Sequence, residues 1–212
     1  MKSLSVGVYG ETCSGKSTLG KHLSSKLACK YISFGDLKRK EIACGTKVGL
    51  KIKRSLDFKY PLPAELGYTV IRNAIKDGLN IVSGYPISVD EFRVFSNYTL
   101  MIGILILGVN EKTLIQRFSL RRKCSECYMP GIIGDLCPIH KIPMVQREDM
   151  SLEELITRRK LYRQRITPFL KSKDIKILPR LLLNSSTFTK DDLICRTEEW
   201  INGLLTKNGG IQ

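Results

Sequence analysis

Short apolar runs alternate with segments of helical periodicity along most of this chain. The runs cover residues 4–9, 31–34, 80–83, 101–109 and 175–183, and each has the length of a β-strand. Strands that alternate with helices indicate a parallel sheet with helices on both faces. We therefore predict an α/β fold built on a five-stranded parallel sheet. Right-handed crossovers would bring the carboxyl ends of its strands to one edge, where such sheets bind ligands.

A capping signal late in the chain predicts a long helix. Ser151 and Glu154 have the spacing of a capping box, which indicates that a helix begins there. We expect this helix to run to about Thr167 and to stop at Pro168, because proline interrupts the helical hydrogen bonds.

Basic residues recur at helical spacing on two segments. Arg158, Tyr162 and Arg165 would share one face of the long helix, and Arg117 and Arg121 would share one face of an earlier helix. On spacing alone, two solvated basic faces are favoured over two binding faces.

The first apolar run leads into a glycine-rich loop. The segment from Gly10 to Thr18, GETCSGKST, fits the phosphate-loop pattern G-x-x-x-x-G-K-[ST] in full. Its glycines let the backbone approach a phosphate, and its N–H groups line an anion site at a helix N-terminus. Lys16 supplies charge for the β- and γ-phosphates of a nucleotide, and the Ser17 hydroxyl can ligate Mg²⁺. A turn that binds nothing is disfavoured, because Lys16 and Ser17 occur together in a strand–loop–helix context. The predicted nucleotide-binding residues of this loop, which the resemblance described below assigns to ATP, are Gly10, Cys13, Ser14, Gly15, Lys16, Ser17 and Thr18.

Two segments interrupt the alternation of strands and helices. Residues 36–66 are polar and basic and contain a Pro61-Leu62-Pro63 break, and residues 122–146 contain the paired cysteines. Both segments fall between sheet elements, so we expect both to be insertions over the ligand edge.

The second of these segments carries a metal-binding pattern. Cys124 and Cys127 are followed, nine residues later, by Cys137 and His140, in the order C-x₂-C…C-x₂-H. Such a set can close a tetrahedron around Zn²⁺ with no open position, which predicts a structural site. Zinc is favoured over iron by this thiolate–imidazole ligation. Free thiols and a nucleic-acid zinc knuckle are the alternatives, and the position inside a phosphate-loop domain argues against the knuckle.

Size and charge limit the class of protein further. The chain has 212 residues, is 42% hydrophobic and carries a net charge of +15, so it suits one globular domain with an anionic ligand or partner. No apolar run is long enough to span a membrane, and residues 1–20 lack a signal-peptide pattern, so we expect a cytoplasmic protein without membrane contact. Four of the seven cysteines lie outside any pattern and are expected to be free thiols. Contact with RNA stays open but is not favoured.

Taken together, the motifs resemble the adenylate kinase family of nucleoside monophosphate kinases, over about residues 4–205. Residues 32–39, ISFGDLKR, resemble that family's I-S-T-G-D-x-x-R segment, and residues 84–86, GYP, resemble its G-F-P. Arg117 and Arg121 resemble the start of its lid, which in zinc-bearing members continues with cysteine pairs. Residues 147–168 resemble its R-x-D…R…Y…P run.

The resemblance implies a division of the chain into three parts. Residues 1–35, 67–117 and 147–212 would form the P-loop kinase core. Residues 36–66 would bind the nucleoside monophosphate, and residues 118–146 would form a zinc-binding lid. The family also implies a monomer.

The implied reaction is transfer of the γ-phosphoryl group of ATP, bound with Mg²⁺, to AMP or a related monophosphate. Lys16 would hold the transferring group, and its oxygens would be neutralised by Arg121, Arg147 and Arg158. Arg117 would lie against the adenine of ATP. Such a reaction depends on positioning and charge neutralisation, for which arginine is well suited. The implied monophosphate-binding residues are Phe34, Gly35, Arg39, Gly84, Ile87, Glu91, Arg147 and Arg158.

The chain departs from the family pattern mainly on the acceptor side. Ile87 stands where the family usually has a second arginine for the monophosphate, and Glu91 where it has a glutamine that contacts adenine. Phe34 replaces a threonine, and Ser83 replaces the aspartate before G-F-P. In the phosphate loop, Ser17 follows the lysine where the family more often has glycine. Two hypotheses follow: an active kinase with a remodelled acceptor pocket, or a nucleotide-binding regulatory or RNA-contacting protein with vestigial kinase activity.

Overall fold

A five-stranded parallel sheet forms the centre of the fold. The computed structural model describes residues 3–57, 62–126, 130–146 and 151–209. The strands in these ranges are β1 (Ser3–Gly10), β2 (Lys30–Ser33), β3 (Leu79–Ser83), β4 (Thr99–Gly108), β5 (Arg121–Lys123), β6 (Pro130–Ile132) and β7 (Arg180–Asn184). The sheet has the order β2-β3-β1-β4-β7, and β5 and β6 form a separate antiparallel pair. This confirms the predicted α/β fold and its five parallel strands.

Helices connect the strands and cover both faces of the sheet. They are α1 (Lys16–Lys26), α2 (Phe34–Ala43), α3 (Lys47–Asp57), α4 (Ala64–Ile71), α5 (Val89–Ser96), α6 (Glu111–Leu120), α7 (Leu152–Lys171), α8 (Lys173–Lys176) and α9 (Lys190–Lys207). Polar residues mark several starts. The Ser151 hydroxyl, for example, accepts the Glu154 N–H at 3.0 Å, as the capping signal predicts. Among the described residues, no helix combines the length and apolarity needed to cross a membrane.

Helix α7 is longer than the sequence predicts. It continues through Pro168 to Lys171. Proline removes one N–H from the helical ladder, but the neighbouring Ile166 and Phe169 are buried at 6% and 1% exposure. Their packing against the sheet offsets the lost hydrogen bond, so the predicted stop at Pro168 is wrong.

The last apolar run is only half a strand. Residues 175–183 were expected to be extended, but Ile175 lies in the short helix α8 and the strand begins at Arg180. Ile175 is fully buried from this helical turn. An apolar run of this length does not by itself distinguish a strand from a buried helical turn.

Side chains of the inner strands point alternately to the two faces of the sheet and so form two hydrophobic cores. On β1, Leu4, Val6 and Val8 pack in one cluster with α1 and α9, whereas Tyr9 packs in the other cluster against α7. Successive residues of a strand point to opposite faces, so a nearly continuous apolar run serves both layers of helices. The buried strands thereby fix the positions of the loops that follow them.

The packing of α3 on α2, in the segment after β2, can be tested by adding a methyl group where the two helices approach closely. A methyl group at Gly49 of α3 would lie 2.0 Å from the backbone oxygen of Glu41 in α2. We expect Gly49→Ala to push the helices apart and lower the free energy of unfolding by about 1–3 kcal/mol.

The matched control is Gly203→Ala in α9, where nothing lies within 4 Å of the added methyl. It should raise the free energy of unfolding by about 0.5–1 kcal/mol, because alanine has the higher helix propensity. Urea titrations of both variants measure the difference, and equal effects would contradict the packing of α2 on α3.

Candidate functional site

The carboxyl ends of the parallel strands open onto one cavity of about 740 Å³. Its wall is formed by the phosphate loop, the start of α2, the loop after β3, one face of α7 and the segment after β7. This is the edge at which the strand order predicts ligand binding. The predicted site residues that line it are Gly10, Cys13, Gly15, Lys16, Ser17, Thr18, Phe34, Gly35, Arg39, Gly84, Ile87, Arg117, Arg121 and Arg158.

The phosphate loop curls around the amine of its own lysine. Gly15 has φ of +93°, which favours glycine, and precedes the first turn of α1. Lys16 Nζ donates to the backbone oxygens of Gly10 at 2.7 Å and Glu11 at 2.6 Å. Burial, followed by the Arg121 charge, lowers the pKa of Lys16 to about 8. Ser14 is buried beneath the loop and does not line the cavity, and its hydroxyl lies 3.3 Å from Lys16 Nζ.

Helix α7 holds this loop from outside through two kinds of contact. The Gly10 N–H donates to the Tyr162 hydroxyl at 2.7 Å. The Glu11 carboxylate is paired with Arg159 at 2.8 Å and with Arg163 at 2.6 Å. These contacts connect residues about 150 positions apart in the sequence. The loop is therefore positioned by a helix that the phosphate-loop motif does not include.

Arg117 forms the wall at the end of the cavity that the family pattern assigns to ATP, here called the donor end. It donates to the Ser185 hydroxyl at 2.9 Å, to the Ser185 backbone oxygen at 2.7 Å and to the Cys13 oxygen at 3.3 Å. Ser185, Phe188 and Lys190 also line the cavity, although no sequence motif marks them. The available signal was their place just after the carboxyl end of a predicted strand.

The end of the cavity that the family pattern assigns to the monophosphate, here called the acceptor end, lies where β2 and β3 finish side by side. Phe34 and Gly35 begin α2 there, and Gly84 and Ile87 follow β3. The Phe34 ring packs on Tyr85, with ring centroids 4.7 Å apart. Phe34 and Ile87 give this part of the cavity wall an apolar surface.

Glu91 does not line the cavity, although the family pattern implied that it would contact the acceptor. Its side chain is buried and accepts the Ile87 N–H at 2.6 Å. Arg165 lies 3.5 Å from the same carboxylate. Burial raises the pKa of Glu91, while the Ile87 N–H and Arg165 oppose the rise. In this structure Glu91 fixes the loop after β3 from below.

Two of the three arginines expected at the transferring group reach the cavity. Arg121 lies at the start of β5, with a guanidinium nitrogen 3.9 Å from Cys13 Sγ. Arg158 projects from α7, with Nε 3.1 Å from Glu154. Arg147 lies outside the described residues.

Three of the four predicted metal ligands lie together. The ligand atoms of Cys124, Cys137 and His140 all fall within 4.8 Å of one another, and Cys127 lies outside the described residues. The backbone N–H of His140 donates to Cys137 Sγ at 3.4 Å, and this contact lowers the pKa of the Cys137 thiol to about 6. Two thiols and an imidazole at this separation have the chemistry that suits Zn²⁺.

A parallel sheet whose first strand ends in a phosphate loop, with arginines from other elements on the same cavity, defines a P-loop phosphotransferase. No family model matches the chain. Curated proteins do match it. The chain is 31% identical over 184 residues to the adenylate kinase of Pyrococcus furiosus, with 79% of this chain and 83% of that protein covered.

Other relatives give the same result. The adenylate kinase of Chlamydia pneumoniae is 28% identical over 202 residues, covering 88% of this chain and 92% of that protein. The adenylate kinase of Thermococcus onnurineus is 27% identical over 182 residues, covering 79% and 81%. The chain belongs to the adenylate kinase family, and it is a phosphotransferase that acts on nucleoside monophosphates.

The anchoring of the phosphate loop can be tested with two acids that share one arginine. Glu11 and Glu111 both pair with Arg159, but their side chains are 12% and 69% exposed. We expect Glu11→Gln to lower the free energy of unfolding by about 1–3 kcal/mol, because it leaves Arg159 half-paired in a poorly hydrated place.

Glu111→Gln is the control and should change the same free energy by less than about 0.5 kcal/mol, since its ion pair is solvated. Chemical denaturation of the two variants gives both values. A larger loss for Glu111→Gln than for Glu11→Gln would contradict the anchoring role.

Proposed function

We propose that this protein transfers the γ-phosphoryl group of ATP to AMP or a related nucleoside monophosphate. The observation that carries this proposal is a single cavity on which the phosphate loop, the donor wall and the acceptor end all open. A direct transfer needs both nucleotides in one water-poor space, because an open site would pass the phosphoryl group to water.

The donor would bind along the phosphate loop and α1. The N–H groups of the loop and the N-terminus of α1 suit the phosphates of ATP. Lys16 would give up its hydrogen bonds to the backbone oxygens of Gly10 and Glu11 and bind phosphate oxygens instead. The Ser17 hydroxyl lines the same cavity and would hold Mg²⁺, which neutralises charge on the β- and γ-phosphates. Arg117 would face the base, beside Ser185 and Phe188.

Transfer itself would depend on cations around the moving phosphoryl group. Lys16, Arg121 and Arg158 are the described candidates, and Arg147 is proposed with them from the family pattern. The arginine guanidinium groups can bind the equatorial oxygens bidentately, and Lys16 adds a point charge. The metaphosphate-like group needs such neutralisation more than a covalent partner.

The acceptor would bind between α2 and the loop after β3. Phe34 and Ile87 offer apolar surface for the nucleoside, and Arg39 offers a guanidinium for its phosphate. We propose residues 36–66 as the acceptor-binding insertion and residues 118–146 as the lid. Closure of both would exclude water during transfer.

The metal ligands would stabilise the lid. Cys124, Cys137 and His140, with Cys127 as the fourth ligand, would hold one Zn²⁺. A segment this small has little core of its own, since only Met144 and the two cysteines form its buried cluster among the described residues. The ion would therefore act on folding and not on the chemistry.

The proposed role of the phosphate-loop lysine is tested by Lys16→Met. Methionine keeps the length of the side chain without its charge, so we expect kcat to fall at least about 10²-fold while the fold is retained. Lys26→Met at the exposed end of α1 is the control and should keep full turnover. A coupled assay for ADP formation measures both, and full turnover by Lys16→Met would remove this lysine from the mechanism.

The metal site is tested by elemental analysis. Protein purified without added zinc should contain about one equivalent per chain, by the four-ligand count. Cys137→Ser should lose the metal, and Cys195→Ser, at an exposed position on α9, should keep it. Wild-type protein without bound metal would contradict the site.

A further inference from the structure

The acceptor end of the cavity has two cationic side chains among the described residues, Lys38 and Arg39 of α2. Ile87, on the opposite loop, brings no charge. The phosphate of a nucleoside monophosphate is close to a dianion at neutral pH. A site that binds it in a partly dehydrated place needs more than one positive charge nearby.

Arg39 is already partly neutralised. Its guanidinium forms an ion pair with Asp36, three residues earlier on the same helix. The pair contributes little net charge to this end of the cavity. Arg158 also lines the cavity, but it is proposed to neutralise the transferring phosphoryl group, so the acceptor phosphate needs a further uncompensated charge on its own side.

Lys38 is the side chain that fits this need. It is half-buried, and its amine forms no ion pair and no hydrogen bond with any of the described residues. Its Nζ lies 4.7 Å from the centroid of the Phe34 ring, which is itself part of the cavity wall. A ring face attracts an ammonium group without satisfying its N–H donors, so the donors stay available to a ligand.

The charges around Lys38 favour an incoming anion. Arg165 of α7 and Arg39 of α2 are like charges, and Glu91 of α5 is the opposing one. The Glu91 carboxylate is engaged by Arg165 and by the Ile87 N–H, below the cavity. Burial, then Arg165, lowers the pKa of Lys38 to about 8. A bound phosphate would raise the pKa of Lys38 again, because an adjacent anion favours the charged ammonium form. The same attraction would strengthen binding of the phosphate.

We infer that Lys38 binds the phosphate of the acceptor nucleotide and supplies the second positive charge that Ile87 does not. This inference rests on the proposed function, because it assigns the ligand of the same cavity. It makes Lys38 a specificity-determining residue for monophosphates over nucleosides.

The test is Lys38→Met, with Lys38→Arg as the conservative variant and Lys40→Met, exposed on the same helix, as the matched control. Titration calorimetry gives the affinity of each protein for AMP and for adenosine, and steady-state kinetics gives KM for AMP and for ATP. We expect Lys38→Met to weaken AMP binding and raise its KM by about 10-fold or more, which corresponds to about 1.4 kcal/mol. Adenosine binding and the KM for ATP should stay unchanged.

Lys38→Arg and Lys40→Met should both keep wild-type values for AMP. Unchanged AMP binding by Lys38→Met, or equal weakening of AMP and adenosine, would overturn the inference. So would an equal rise in KM for both nucleotides, which would indicate a general structural role. If the wild-type protein neither binds nor phosphorylates AMP, GMP, CMP or UMP, the proposed function fails, and this inference fails with it.

Discussion

A phosphate loop must hold several N–H groups and a lysine toward an anion, so the rest of the fold has to fix the loop in position. Here helix α7 stabilises it from outside. The Tyr162 hydroxyl accepts the Gly10 N–H, and Arg159 and Arg163 hold the Glu11 carboxylate. The same helix presents Arg158 to the cavity, so one element sets both the loop and an arginine of the proposed transfer site. The buried Ile166 and Phe169 fix that helix against the sheet.

Collecting cations in a half-buried cavity has an electrostatic cost. The pKa values of Lys16 and Lys38 are both lowered to about 8, through burial first and then through a neighbouring arginine in each case. The protein without nucleotide is thus short of negative charge at the two places where the proposed reaction needs phosphates. Binding of either nucleotide would relieve this repulsion, which gives substrates a favourable contribution that a neutral pocket would lack.

The sheet and the phosphate loop were predictable because their signals are local. An apolar run of strand length and a G-x-x-x-x-G-K-[ST] segment state their structure within ten residues. The end of α7 was not predictable from the local sequence, because Pro168 is tolerated only through the tertiary burial of its neighbours. The Arg158 face illustrates the same limit. Its spacing favoured a solvated surface, and only the packing of α7 across the cavity turns it inward.

At the acceptor end of the cavity, the family pattern did not identify every residue that the structure places there. The pattern implied Glu91 as an acceptor contact, but the structure holds it beneath the loop with Arg165. Neither the pattern nor the periodicity singled out Lys38, because its surroundings come from α5 and α7, far along the chain. Ser185 and Phe188 at the donor end were missed for a similar reason, since no motif marks them.

In the proposed reaction, a phosphoryl group passes directly between two nucleotides bound in one cavity. The most direct measurement follows ATP, the diphosphate of the acceptor and inorganic phosphate by ³¹P NMR while each of AMP, GMP, CMP and UMP is added in turn. We expect that, with at least one of them, each ATP consumed yields one ADP and one acceptor diphosphate without release of inorganic phosphate. ATP turnover that releases inorganic phosphate at the same rate with and without every monophosphate, or no turnover at all, would contradict it.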